Sequence, residues 1–161
     1  MQEAVKADNP FEIESAAVSD RGLNESRPEN EDSYLDLPGL GIFAVADGVG
    51  GAQAGEVASQ MAVEILSEAF ANMSEKTDAE AVMRAAISKA NEAIFEMSSQ
   101  LPQLAKMATT IVALHLRGDV ATVGHGDWHY FTMAFEALIG FLSGRTSDRD
   151  IADRYWYRPE R

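Results

Sequence analysis

The apolar positions of this chain follow three patterns. Leu40-Gly41-Ile42-Phe43-Ala44-Val45-Ala46 is a nearly continuous apolar run. It predicts a strand buried on both faces that ends at Asp47-Gly48-Val49-Gly50-Gly51. From Ala54 to Met73, Val57, Met61, Ile65 and Ala69 recur every fourth residue beside Leu66, Phe70 and Met73, the apolar stripe of an amphipathic helix. Thr77-Asp78-Ala79-Glu80 matches a capping box and predicts a second helix to about Ser99, burying Val82, Ala86, Ala90, Ala93 and Met97. Met107–Leu116 and Val120–Gly124 flank the turn Arg117-Gly118-Asp119 and predict a hairpin. Ile13–Val18 and Tyr34-Leu35 predict short strands. Between them Ser19–Ser33 is a polar loop whose length inside a compact domain favours a functional role. Two long helices in succession predict an antiparallel helix pair on one face of a sheet, an α/β fold of the α+β type.

The pattern breaks at Asp127. Trp128-His129-Tyr130-Phe131 is aromatic, Glu136–Leu142 is apolar and weakly helical, and the last 17 residues hold five of the 13 Lys and Arg. Three segments are therefore expected: a lead-in over 1–12, a domain over 13–127 and a divergent tail over 128–161.

Charge and composition narrow the function. A net charge of -13 over 161 residues argues against non-specific nucleic-acid binding and against docking on an anionic membrane. With no cysteine, disulfide scaffolds, thiolate zinc sites and cysteine nucleophiles are excluded. No apolar run approaches a membrane span, and the acidic start, MQEAVKADNPFEIE, lacks the features of a secretion signal. A cytoplasmic location is expected.

The candidate chemistry is carboxylate-based. Asp47 follows an apolar strand and precedes Gly48, so its carboxylate can bridge two cations while the unhindered glycine carbonyl reaches a metal. Magnesium and manganese favour such all-oxygen sites. Glu31 and Asp32 arrive from a neighbouring segment and can complete one side of a two-metal centre, which activates water and clamps a phosphoryl group. Arg27, five residues before Asp32, offers the planar donor pair that suits a phosphate dianion. His125 and His129 have a helical zinc spacing, but His125 falls in the hairpin and no protease glutamate accompanies them, so zinc is disfavoured. Val49-Gly50-Gly51 lacks the Gly-Lys-Ser/Thr of a nucleotide loop.

Taken in order, Ser19-Asp20-x-Gly22, Arg27-x-x-Asn30-Glu31-Asp32-Ser33, Ala46-Asp47-Gly48-Val49-Gly50-Gly51, Gly55-Glu56-Val57-Ala58-Ser59, Met107-Ala108-Thr109-Thr110 and Val123-Gly124-His125-Gly126-Asp127 resemble the metal-dependent protein phosphatases of the type 2C family. Ala108 stands where the family has glycine. The resemblance covers about residues 13–127. It implies an antiparallel β-sandwich flanked by helices, here incomplete at its C-terminal half. It further implies that Asp47 bridges two Mn2+ or Mg2+ ions, that the Gly48 carbonyl binds one of them, and that Glu31 and Asp32 hold the second directly or through water. Arg27 would bind the substrate phosphate, and a metal-bound hydroxide would attack phosphorus in line without a phosphoenzyme. The implied substrates are phosphoserine and phosphothreonine in proteins, set against Ser/Thr kinases in bacterial signalling.

The resemblance stops at Asp127. Gly126-Asp127-Trp128-His129 replaces the family's Gly-Asp-Ser-Arg, and the later Ser-Asp-Gly and Asp-Asn ligand motifs have no match; Asp148, Asp150 and Asp153 sit in neither. The tail is read as a frameshifted stretch or as genuine divergence. The missing half leaves one sheet face without a partner sheet, which invites self-association. Two alternatives to a turning-over phosphatase are a phosphatase-like binding or regulatory module and a self-associating remnant without a ligand.

Overall fold

The structure, a computed structural model, describes residues 12–23, 29–50 and 54–126. Arg27, Asp127, residues 1–11 of the expected lead-in and the tail 128–161 with its apolar Glu136–Leu142 segment lie outside the described residues.

Strand β1 (Asp32–Leu37) runs through a short 3-10 turn at Pro38–Leu40 into β2 (Ile42–Val49). Helices α1 (Ala54–Ala71) and α2 (Ala79–Gln100) follow, then β3 (Ala108–Thr109), β4 (Ile111–Arg117) and β5 (Val120–Gly126). The sheet is antiparallel in the order β1-β2-β4-β5, and β3 pairs with the far end of β2. The helices pack on each other, α1 against β1 and β2, α2 against β5. This mixed α/β architecture agrees with the fold class expected from the sequence.

The layers meet through small side chains. Ile42, Ala44 and Ala46 of β2 and Ile111 and Ala113 of β4 meet Ala62, Val63, Leu66 and Phe70 of α1 and Met83, Ala86 and Ala90 of α2 in one buried cluster. At β5, a Cβ on Gly124 or Gly126 would run into Met83 or Ile87, so α2 lies directly against bare backbone. Arg117 closes the far end by donating to the carbonyls of Glu75 (3.2 Å) and Thr77 (3.0 Å) in the interhelical turn.

Several local expectations change. Strand β2 is not buried on both faces: Ile42, Ala44, Ala46 and Gly48 are buried, whereas Val45, Asp47 and Val49 are exposed. A run apolar on both faces reads from sequence as doubly covered, but the helices cover only one. Nor does β2 end at Asp47-Gly48, because β3 extends the ladder with Gly48 opposite Thr109 and Val49 opposite Ala108. The buried stripe of α1 is displaced by one residue, to Ala54, Gly55, Ala58, Ser59, Ala62, Val63, Leu66 and Phe70. Val57, Met61, Ile65 and Ala69 flank it half-buried, because the closest approach to a sheet goes to the smallest residues. Helix α2 is capped by Asp78, whose carboxylate accepts from the Glu80 amide at 3.0 Å, rather than by Thr77. Ile13–Val18 forms no strand: among the described residues it has no ladder partner for its backbone, Val18 is exposed, and Ser15 donates to the Asp36 carboxylate at 2.6 Å.

Candidate metal centre

The register of the first hairpin makes the site. Asp32 lies directly opposite Asp47 across β1 and β2, so the two carboxylates leave the same face, and both residues are exposed there. Like charges in this position repel. A divalent cation, which prefers carboxylate and carbonyl oxygen, turns the repulsion into attraction. Two opposed carboxylates have the oxygen-donor chemistry that hard cations such as manganese or magnesium take.

The peptides on either side of these carboxylates are held at unusual density. The Glu31 carbonyl accepts from the Gly48 amide at 3.0 Å and from the Ser59 hydroxyl at 2.7 Å. The Asp47 carbonyl accepts from the Thr110 amide at 2.9 Å and, at 3.0 Å, shares the Thr109 hydroxyl with the Thr110 carbonyl at 2.8 Å, and the Asp47 amide donates to the Thr110 hydroxyl at 3.3 Å. Asn30 accepts from the Asp32 amide at 3.1 Å and donates to Ser19 at 2.6 Å, tying the polar loop to the start of β1.

Glycine permits the crossing of β2 and α1. A Cβ on Gly48 would fall within the carbonyls of Gly55 and Glu31, and one on Gly55 would sit 2.6 Å from the Glu31 carboxylate. Glu31 therefore turns its half-buried carboxylate towards the first turn of α1, where the helix dipole favours negative charge.

Of the residues expected from sequence, Asp32 and Asp47 share a face, and Glu31 joins Gly48 through the backbone while its carboxylate lies towards α1. Among the described residues, no group of three or more His, Asp or Glu side chains is arranged to hold a metal. Sequence reasoning gave no role to Gly55, Ser59, Thr109 or Thr110, although the motif blocks containing them were legible. Their task is to grip the backbone, and only the tertiary fold reveals it. The disfavoured zinc reading gains nothing from the geometry: His115 is buried on the helix side, 4.8 Å from the Phe70 ring, whereas His125 pairs with Val112 on the alternate side of the hairpin, and His129 is outside the described residues.

Known proteins place this geometry in context. A family model described as protein phosphatase 2C matches residues 25–127. The Mycobacterium tuberculosis serine/threonine protein phosphatase PstP is 39% identical over 146 residues, covering 90% of this chain and 27% of that protein. The Listeria monocytogenes serine/threonine phosphatase stp is 37% identical over 116 residues, covering 68% of this chain and 45% of that protein. A crystal structure of the PstP catalytic domain in complex with two manganese ions superposes with a TM-score of 0.62 at 37% identity, covering 68% of this chain and 46% of that one. The chain thus spans less than half the length of these relatives. The motif order, the fold and the family match agree: this chain belongs to the protein phosphatase 2C family.

Proposed function

We propose that this chain carries one side of the metal centre of a Mn2+- or Mg2+-dependent protein serine/threonine phosphatase and acts on phosphoserine and phosphothreonine in cytoplasmic signalling proteins. The observation that carries the reading is the opposition of Asp32 and Asp47 on one exposed face. The two manganese ions bound by the PstP catalytic domain support it. Among the described residues no helix is long and apolar enough to cross a membrane.

In this reading the Asp47 carboxylate, the Gly48 carbonyl, Glu31 and Asp32 would hold the cations from one side. When bound, the cations supply an activated water and neutralise charge on the phosphoryl group. Thr109 and Thr110 hold the Asp47 backbone so that its carboxylate has one exit direction. Arg27 binds the substrate phosphate through its paired N–H donors. Association of two copies through the open face, where Tyr34, Val45 and Val49 are exposed, belongs to the same proposal.

Hydrolysis of a phosphothreonine peptide with and without Mn2+ tests the reading, with Asp47→Asn as control. Turnover that needs the metal and disappears in the variant is the expected result. Metal binding without turnover would leave the chain as a binding or regulatory module of the phosphatase type.

A further inference from the structure

Ser59 is one of two buried polar residues in the described core, and its side chain is fully enclosed between α1 and the sheet. A hydroxyl in such a place is costly unless hydrogen-bonded. It lies 2.7 Å from the Glu31 carbonyl, 2.8 Å from the Ser33 hydroxyl and 3.1 Å from the Glu56 carbonyl. A hydroxyl has one proton to donate and two lone pairs. The short contact assigns that proton to Glu31, and the Ser33 hydroxyl then donates to Ser59. The Glu56 carbonyl, one turn back in α1, is the longer and weaker acceptor.

The consequence reaches both carboxylates. The Glu31 carbonyl belongs to the Glu31–Asp32 peptide, and its second donor is the Gly48 amide, part of the Asp47–Gly48 peptide. The carbonyl of that same peptide is held by the Thr110 amide at 2.9 Å. One oxygen therefore joins α1, the start of β1 and the end of β2. It orients the peptide planes from which Asp32 and Asp47 project. Ser59 is the helix-layer side chain bonded to that oxygen.

We propose that Ser59 is a positioning residue of the metal centre, setting the mutual placement of Asp32 and Asp47 through its hydrogen bond to the Glu31 carbonyl. This rests on the reading that those carboxylates hold a divalent cation. Removing a group that orients a metal ligand typically weakens binding by roughly 10- to 100-fold. Among the described residues the Ser33 hydroxyl bonds to Ser59, one step removed from the Glu31 carbonyl, so its removal has a smaller effect.

The test titrates Mn2+ into the full chain by electron paramagnetic resonance and measures Gly48 amide exchange without metal. It compares the unsubstituted chain with Ser59→Ala, Ser59→Thr, Ser33→Ala and Asp47→Asn. Ala62→Gly serves as a destabilised control that touches α1 one turn on. Ser59→Ala is expected to weaken Mn2+ binding at least tenfold and to speed Gly48 exchange. Ser59→Thr, which keeps the hydroxyl, and Ala62→Gly are expected to hold the original affinity. Unchanged affinity in Ser59→Ala, or an equal loss in Ala62→Gly, overturns the positioning role and leaves the metal reading standing. Should Ser59→Ala not fold, a Ser33→Ala variant with both Mn2+ affinity and Gly48 amide exchange equal to the original chain overturns it as well. Binding no stronger in the original chain than in Asp47→Asn overturns the metal reading and this inference together.

Discussion

The two faces of the sheet are made by the same strands and serve different ends. Towards the helices, β2 presents Ile42, Ala44, Ala46 and Gly48, residues small enough for α1 to lie close. Away from them it presents Phe43, Val45, Asp47 and Val49 opposite Asp36, Tyr34 and Asp32 of β1. One face excludes water and supplies stability. The other carries Asp32 and Asp47 at one end and Asp36 towards the other, with Tyr34 and Val45 between them. The faces are joined where Ser59 reaches from α1 to the Glu31 carbonyl. A site on the open face can thus be rigid without being buried, because its backbone is gripped from the closed face.

Substitutions that separate the faces test this division. The largest effect is expected at Phe70, which is 3% exposed. Phe70→Ala should cost about 3–5 kcal/mol in urea unfolding of the dilute, dissociated chain, whereas Val45→Ala, on the open face at 61% exposure, should there stay within about 0.5 kcal/mol. Equal costs would mean that the open face is covered in solution.

A smaller effect separates the faces by pH. Burial, with the Arg117 charge acting in the same sense, lowers the His115 pKa from 6.5 to about 4. The fold therefore favours neutral imidazole. Its contribution is complete above pH 6.5 and is lost as pH falls from 6.5 towards 4, where the unfolded chain protonates first. The loss amounts to about 3 kcal/mol, since each pKa unit is worth roughly 1.4 kcal/mol. In His115→Gln that part of the acid slope should vanish, measured as the difference between the two stability–pH curves. Superimposable curves would place His115 in contact with water.

The smallest effect has the most informative sign. Asp32→Asn relieves the opposition with Asp47, so the metal-free variant should be more stable by about 0.2–1 kcal/mol. The same variant should gain less from added Mn2+ than the original chain. A variant less stable in both conditions would contradict the view that these carboxylates face each other for a ligand's sake.

Much of this was legible in the order of residues, and what was not has physical causes. The helices and the hairpin about Arg117-Gly118-Asp119 follow from periodicity, although its expected first arm, Met107–Leu116, is divided into β3 and β4. The stripe of α1 was misplaced because Met61 and Ile65 weigh more in a pattern than Ala58 and Ala62, while packing gives the interface to the smaller pair. Ile13–Val18 has the composition of a strand but no ladder partner among the described residues. Asp32 and Asp47 were each visible as candidate ligands. Their opposition, and the grip of Ser59 and Thr109 on the peptides beside them, depends on register across 15 residues and on contacts between residues 28 and 62 positions apart. No local pattern encodes those.

The most direct test of the account is the affinity of the full chain for Mn2+, read by electron paramagnetic resonance beside Asp47→Asn. Saturable binding in the original chain that falls by an order of magnitude or more in the variant, at least the loss expected when a group that only orients a ligand is removed, is the predicted result. Identical titrations for the two proteins would contradict the claim that the opposed carboxylates of β1 and β2 form a metal centre.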